Sequence, residues 1–454
     1  MNTQPLQRVG QRKTRSQRLR ETVVAFVCDL DGPAIEELRS FTKDDWQRNF
    51  LWLDASGLAL YFVDRLDKHG WRDAIPFSIL KRLQQNLVDN RERTASLFAE
   101  MAEINTRFQK SGVTFANLKG LSLTPESVPD PALRCQLDLD FLVATGQASI
   151  ARQVLTDMGY CLSAANRGTW EFKAGSSEVA AIKDLYKVKP QRSVELHLVD
   201  TAGEALPLRT STWSGQLQRA VARPVLGVPM PTLSPADQFL NQALHLFGHI
   251  RSEFTRTSWG LEFARHLRSR GNDAAFWREV EELAAEVPEA TTALGVTILL
   301  VEQVFGPAAP DALRRWTVDQ LPAPVARWAR MYGRRVMMAD FPGNKLYLLL
   351  ENELGPRRSD ARQAALKRLL PLRLPPMITR GEAGEQLSTR LRRYVAQTRF
   401  VLFRLRFHVV QGARYCLEFL RWRWLKWISA TMSPVAQRER EEQLQRNDIS
   451  ATDG

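Results

Sequence analysis

The run Leu137-Asp138-Leu139-Asp140-Phe141-Leu142-Val143 alternates apolar and acidic side chains and then turns wholly apolar. Such a run reads as a β-strand, because residues two apart in a strand point to the same face. The strand sets Asp138 and Asp140 side by side on one face and leaves apolar residues to bury the other. Few surroundings tolerate that arrangement. Like charges at this spacing repel, and one carboxyl is driven up in pKa unless a cation sits between the two. A hard divalent ion that prefers oxygen donors, such as Mg2+, relieves the repulsion. The competing reading is a half-exposed edge strand with two solvated aspartates, because Asp-x-Asp by itself is a short pattern.

Two neighbouring segments narrow the choice. Upstream, Gly112-Val113-Thr114-Phe115-Ala116-Asn117-Leu118-Lys119-Gly120 reads as a glycine helix stop, a short strand and a Lys-Gly turn. Glycine permits close approach of the backbone to a phosphate, and lysine supplies a point charge for it. Downstream, Ser193-Val194-Glu195-Leu196-His197-Leu198 is a second alternating strand that carries a third carboxylate.

These segments sit in a chain of 454 residues, long enough for two or three domains. Residues 1–20 read as a mobile basic arm and 21–112 as a helical region whose clearest helix runs from about Leu83 to Phe108. Residues 113–232 are β-rich, with strands expected at Val113–Leu118, Leu137–Val143, Tyr160–Leu162, Trp170–Phe172, Val179–Ile182 and Val194–Val199, and a helix from about Ala148 to Met158. A mixed sheet with helical cover follows from that alternation. Helix returns at Ser234-Pro235-Ala236-Asp237, which carries an N-cap, an N1 proline and a capping-box acid. A helical domain fills 233–355, a basic helical segment 356–432 and a polar tail 433–454. The four cysteines, Cys28, Cys135, Cys161 and Cys416, lie far apart and suit a reducing compartment rather than a disulfide framework. The N-terminus lacks the apolar stretch of a signal peptide, and no apolar run reaches the ~18 residues of a membrane span. The expected location is therefore cytoplasmic, with peripheral attachment to a membrane as the variant that the basic segment allows.

The strand, Lys-Gly turn, Asp-x-Asp strand and Glu-bearing strand together resemble the polymerase-β-like nucleotidyltransferase superfamily. Leu118-Lys119-Gly120, Arg134 with Asp138-x-Asp140, and Val194-Glu195-Leu196-His197 look more closely like its bacterial uncharacterised nucleotidyltransferase family, over roughly residues 20–350. The resemblance implies an α+β (mixed) fold: a small mixed β-sheet nucleotidyltransferase core flanked by N-terminal and C-terminal helical regions. It implies an enzyme that moves a nucleoside monophosphate from an NTP to an acceptor, with Mg2+ or Mn2+ as cofactor. Asp138, Asp140 and Glu195 would be the catalytic and metal-binding residues, and Lys119, Gly120, Arg134 and His197 would bind the nucleotide. The acceptor is expected to be a small molecule, a sugar or a protein. An enzyme acting on RNA ends and a non-catalytic nucleotide sensor or scaffold are the alternatives. The chain departs from the superfamily pattern where Leu121 follows Gly120, so that the nearest serine, Ser122, is displaced by one position.

Three features admit more than one reading. Arg134 reads equally as a triphosphate or carboxylate ligand and as a surface arginine. His245 and His249 share one helix face, but a third zinc ligand is missing, so packing against the cleft or polar contact with it is the expected role. From Arg357 to Val435 there are 17 basic and four acidic residues, an excess equal to the +13 net charge of the whole chain. An electrostatic partner is therefore expected at that end. Leu417, Leu420, Trp424 and Ile428 form an apolar stripe there, with Arg414, Arg421 and Arg423 off it. The stripe reads either as core packing or as a docking face for an anionic surface, a protein or RNA.

Overall fold

The computed structural model describes residues 14–28, 33–166, 168–175, 184–188, 192–199, 213, 215–355, 368–369 and 386–431. The basic arm up to residue 13, the strand expected at Val179–Ile182, most of the stretch from 356 to 385 and the tail from 432 onward lie outside the described residues.

Five helices open the chain: α1 (Arg15–Val27), α2 (Pro33–Arg39), α3 (Lys43–Ala55), α4 (Ala59–Lys68) and α5 (Phe77–Lys110). Helix α3 starts at a capping box in which Thr42 and Asp45 satisfy each other's backbone N–H groups. The 34 residues of α5 span ~50 Å. Its first half buries Ile79, Leu83 and Leu87 among the other N-terminal helices. Its second half buries Met101, Ile104 and Phe108 against the sheet. Ser111 caps its end and Gly112, at φ 70°, turns the chain into the first strand.

The sheet has seven strands: β1 (Phe115–Leu118), β2 (Leu139–Ala144), β3 (Cys161–Ala165), β4 (Thr169–Ala174), β5 (Arg192–Val199), β6 (Val221–Val225) and β7 (Val228–Thr232). Their spatial order is β3-β4-β5-β2-β1-β7-β6. β2 and β5 run parallel, as do β1 and β7, while the other pairs are antiparallel. The fold is α+β with a mixed sheet, as expected. The β6–β7 hairpin was not expected from the sequence. Pro224, Pro229 and Pro231 argue against strand there, but a strand that pairs along only part of its length tolerates proline. Leu226 and Gly227, both at positive φ, form its two-residue turn.

Alternation sorts the central strands. Leu139, Phe141 and Val143 of β2 and Val194, Leu196 and Leu198 of β5 face α5 and α6 (Ala148–Asp157). Leu142, Ala144 and Val199 face the opposite side, with Ala116, Leu118 and Leu233. Asp140, Glu195 and His197 share the parity of this second set, so they open away from α5.

Helices α7 (Pro235–Ile250), α8 (Thr257–Ser269), α9 (Ala274–Glu286), α10 (Ala290–Phe305), α11 (Asp311–Trp316), α12 (Ala323–Met337) and α13 (Tyr347–Leu354) follow. Ser234 caps α7 by accepting from the Asp237 N–H. Helix α10 is apolar almost all round and lies buried, as such a helix must. One apolar core joins α7–α13 to α1–α4 and the first half of α5. The last described element is α14 (Leu387–Thr431), 45 residues long. Among the described residues no helix is long and apolar enough to cross a membrane.

Candidate functional site

The site is built on three adjacent strands. In the parallel β2–β5 ladder Asp140 is in register with Glu195, and Leu142 with His197. In the antiparallel β1–β2 ladder Leu118 faces Asp140. That pairing brings Lys119, the next residue, over the carboxylate. The Lys119 ammonium lies 2.9 Å from Asp140 Oδ1. His197 Nε2 lies 2.8 Å from the same oxygen and 3.5 Å from Glu195 Oε2. Both contacts to Asp140 fall on Oδ1, so Oδ2 has no hydrogen-bond donor among the described residues.

Asp138 differs from the sequence expectation in one respect. β2 begins at Leu139, so Asp138 ends the extended loop before it rather than sharing its regular face. It remains close enough to Asp140 for the two to interact. Burial, and then the Asp140 charge, push Asp138 up to about 6. Asp140 moves the other way. Burial opposes its ionisation, but Lys119 and the His197 hydrogen bond hold it far below the usual carboxylate range. Lys119 and His197 are both held above their ordinary values. Burial works against each cation, and the surrounding carboxylates outweigh it.

The Lys-Gly turn has an unusual backbone. Lys119 has φ 49° and Gly120 φ 46°. A side chain at Gly120 would also meet the Gln136 amide, 2.2 Å from where its Cβ would stand. Gln136 in turn donates to the Asp138 carbonyl at 2.6 Å. It thus straps the turn to the aspartate loop. The displaced Ser122 donates its hydroxyl to the Lys119 carbonyl at 2.7 Å and caps the turn.

Two residues of α5 hold the loop from the other side, and the sequence reading missed both. Asn90 donates to the carbonyls of Ala132 and Arg134. Arg93 donates from Nε to the Gln136 carbonyl at 2.9 Å and from Nη1 to Leu185 and Lys187. Their signal is faint: two polar side chains three apart on the buried stripe of a long helix.

Arg134 is not a surface arginine. Its side chain is 14% exposed and pairs with Glu262 of α8 at 3.2 Å, and the Tyr61 hydroxyl of α4 donates to the same carboxylate. It lines a cleft with Lys119, Gln238, Gln242, His245 and Trp259. His245 and His249 pack their rings on Trp259, at 5.3 and 4.2 Å between centroids. Burial drives both rings down, His249 to about 4, so they stand neutral. Among the described residues the group able to hold a metal ion is Asp140, Glu195 and His197, whose ligand atoms lie within 4.8 Å of one another.

Residues 42–306 match the family described as uncharacterised nucleotidyltransferase, more than half of the chain. The chain belongs to that family. No curated protein matches it. Solved structures do, among them an antigenic nucleotidyltransferase-like protein from Paracoccidioides brasiliensis. That protein is 12% identical over 49% of this chain and 97% of its own length, with a TM-score of 0.27.

Proposed function

We propose that this protein is a divalent-metal-dependent nucleotidyltransferase that moves a nucleoside monophosphate from an NTP to an acceptor and releases pyrophosphate. The observation that carries the reading is the register that sets Asp140 beside Glu195, with Lys119 bonded to Asp140. Asp138, Asp140 and Glu195 are three carboxylates against one ammonium and one imidazole. The donors are mainly oxygen and the charge balance is negative, which fits Mg2+ or Mn2+. Asp140, Glu195 and His197 would hold the ion, and Asp138 would join them from the loop before β2. When bound, it supplies charge neutralisation at the phosphoryl oxygens.

The chain's own groups would do the rest. Lys119 is kept cationic by its carboxylate neighbours and meets the β- and γ-phosphates at the mouth of the Gly120 turn. Glu195 has a side chain 30% exposed, against 5% for Asp140. It is the carboxylate that an acceptor hydroxyl reaches, and it would take the proton. Arg134 is committed to Glu262 and holds the cleft wall, so it acts on the nucleotide by placing Tyr61 and Glu262. Beyond Lys119 the wall of Gln238, Gln242 and neutral His245 suits a hydroxyl-bearing small molecule, sugar or protein side chain.

One observation favours a second reading. Lys119 and His197 already occupy Asp140 Oδ1, as in a site that binds a nucleotide without turning it over. Incubation with each α-32P-labelled NTP, Mg2+ or Mn2+, and sugar, protein or RNA acceptors separates the two. Transfer that is lost in Glu195→Gln supports the enzyme, and its acceptor lane identifies the class. Tight nucleotide binding with no transfer to any acceptor supports the sensor. Failure to bind any nucleotide overturns both.

A further inference from the structure

Helix α14 is apolar on two opposite sides. One side faces the helical body: Phe407, Tyr415, Trp422 and Leu425 are buried. Polar contacts lock this face in place. Glu418 accepts from Tyr332 at 3.0 Å and from Arg335 at 2.6 Å, Glu353 from Trp422 and Lys426, and Glu253 from Arg404. Leu417 and Leu420 belong by sequence to a stripe suited either to core packing or to docking. They remain 70% and 65% exposed.

The outward side is a line. Leu391, Leu402, Val409 and Leu420 follow one another at intervals of 11, 7 and 11 residues, which keeps them on one side of a helix of 3.6 residues per turn. Their exposures are 64%, 58%, 54% and 65%, and Val395 and Leu405 fill the gaps at 43% and 54%. Along its flank run Arg392, Arg399 and Arg406, seven apart, exposed and without an ion pair among the described residues. The whole helix holds ten basic side chains and one carboxylate, Glu418, which is turned inward on Arg335.

The 3–4 spacing of this line would also suit a coiled coil with a second copy of the chain. The flanking row argues against it. Such pairing needs opposite charges beside the seam, and the positions beside this seam are Arg392, Arg399 and Arg406 on one side and Tyr394, Val401 and His408 on the other. None of these positions carries an acid to meet the arginines. An anionic lipid surface meets both demands at once, because it takes the apolar line into its acyl boundary and the arginines at its headgroups.

We propose that the outward face of α14 lays the protein on an anionic membrane surface, while the inward face keeps the helix bound to the body. The test is co-sedimentation of the full chain with phosphatidylcholine vesicles with and without phosphatidylserine. The protein is expected to pellet only with the phosphatidylserine vesicles and to be released by salt. Arg392→Gln/Arg399→Gln/Arg406→Gln should weaken vesicle binding on the order of a hundredfold, from about 1 kcal/mol per cation near the surface. Leu402→Ser/Leu405→Ser/Val409→Ser should abolish pelleting while far-UV circular dichroism and melting stay unchanged, since these side chains are already in water. Three results would overturn the proposal. One is no pelleting of the parent at low salt. Another is a lipid-free dimer that the serine variant dissolves. The last is binding to RNA that the arginine variant loses and the serine variant keeps.

Discussion

Asp237 and Asp140 are both buried, at 0% and 6% exposure, but their surroundings differ. Asp237 takes both oxygens' worth of partners: Arg219 bidentately at 2.8 and 2.7 Å, the Trp213 indole at 3.1 Å and the Ser234 hydroxyl at 2.8 Å. One carboxylate meets one guanidinium, and the remaining donors are neutral. Asp140 shares its lysine with Asp138 and Glu195, and its donors crowd on one oxygen. A balanced, saturated pair is what a fold needs to tolerate a buried charge. A surplus of carboxylates is a cost that structure alone does not explain, and perturbed pairs of this kind mark functional sites.

That contrast can be broken experimentally. The largest effect is expected for Asp140→Asn, which should cut nucleotidyl transfer on the order of a thousandfold, the scale of losing a group that organises transition-state charge. It should also erase thermal stabilisation by Mg2+ with nucleotide. A variant that retains that stabilisation would show that Asp140 is structural like Asp237. Next comes Asp237→Ala, expected to lose about 3 kcal/mol in urea unfolding, the low end for breaking a buried pair, because Arg219 is partly exposed and regains water. Its Mg2+ response should survive. If the response vanishes with the stability unchanged, the roles of the two aspartates are reversed.

A smaller loss, about 2 kcal/mol, is expected for Arg93→Met, which leaves the carbonyls of Gln136, Leu185 and Lys187 without their donor. Because Arg93 braces the loop that carries Asp138, nucleotide affinity should fall with it. Unchanged affinity would mean that the loop holds its shape through Gln136 and Asn90 alone.

An effect confined to acid pH concerns His266, a buried group that is kept neutral instead of paired. Its Nδ1 lies 2.8 Å from the Gln242 side-chain oxygen. Burial, then Arg270 and Arg223, drive the ring down to about 3 from its ordinary 6.5. The folded state therefore refuses a proton that the unfolded chain accepts. The stability from this group is complete above pH 6.5 and drains away as pH falls from 6.5 towards 3. His266→Gln should flatten that part of the stability profile in denaturant titrations across the range. An identical slope in the variant would assign it to other groups.

The alternating strands were legible in the sequence, since β2 and β5 each bury a whole face and period two is forced on them. That they are neighbours followed from the family resemblance and not from their pattern, because register depends on strands far apart in the chain. Asp138 reads as a strand residue by parity, yet the Gln136 bond to its carbonyl keeps it in the loop. Gln136, Asn90 and Arg93 were invisible because their partners are backbone carbonyls, which leave no trace in side-chain patterning. In α14 the stripe through Leu417 and Leu420 was visible, but a helix apolar on two sides gives no hint of which side meets the body.

Helix α5 has one more consequence. Its first half is sealed in the helical core, its second half in the sheet core, and between them Asn90 and Arg93 grip the Asp138 loop. A continuous rod anchored at both ends leaves no hinge between the two cores. The sheet and the helical body then form a single cooperative unit, in which amide protons along the whole of α5 exchange through the same global opening. Heat should melt both cores in one calorimetric transition, with the carboxylate loop losing its shape only when everything else does.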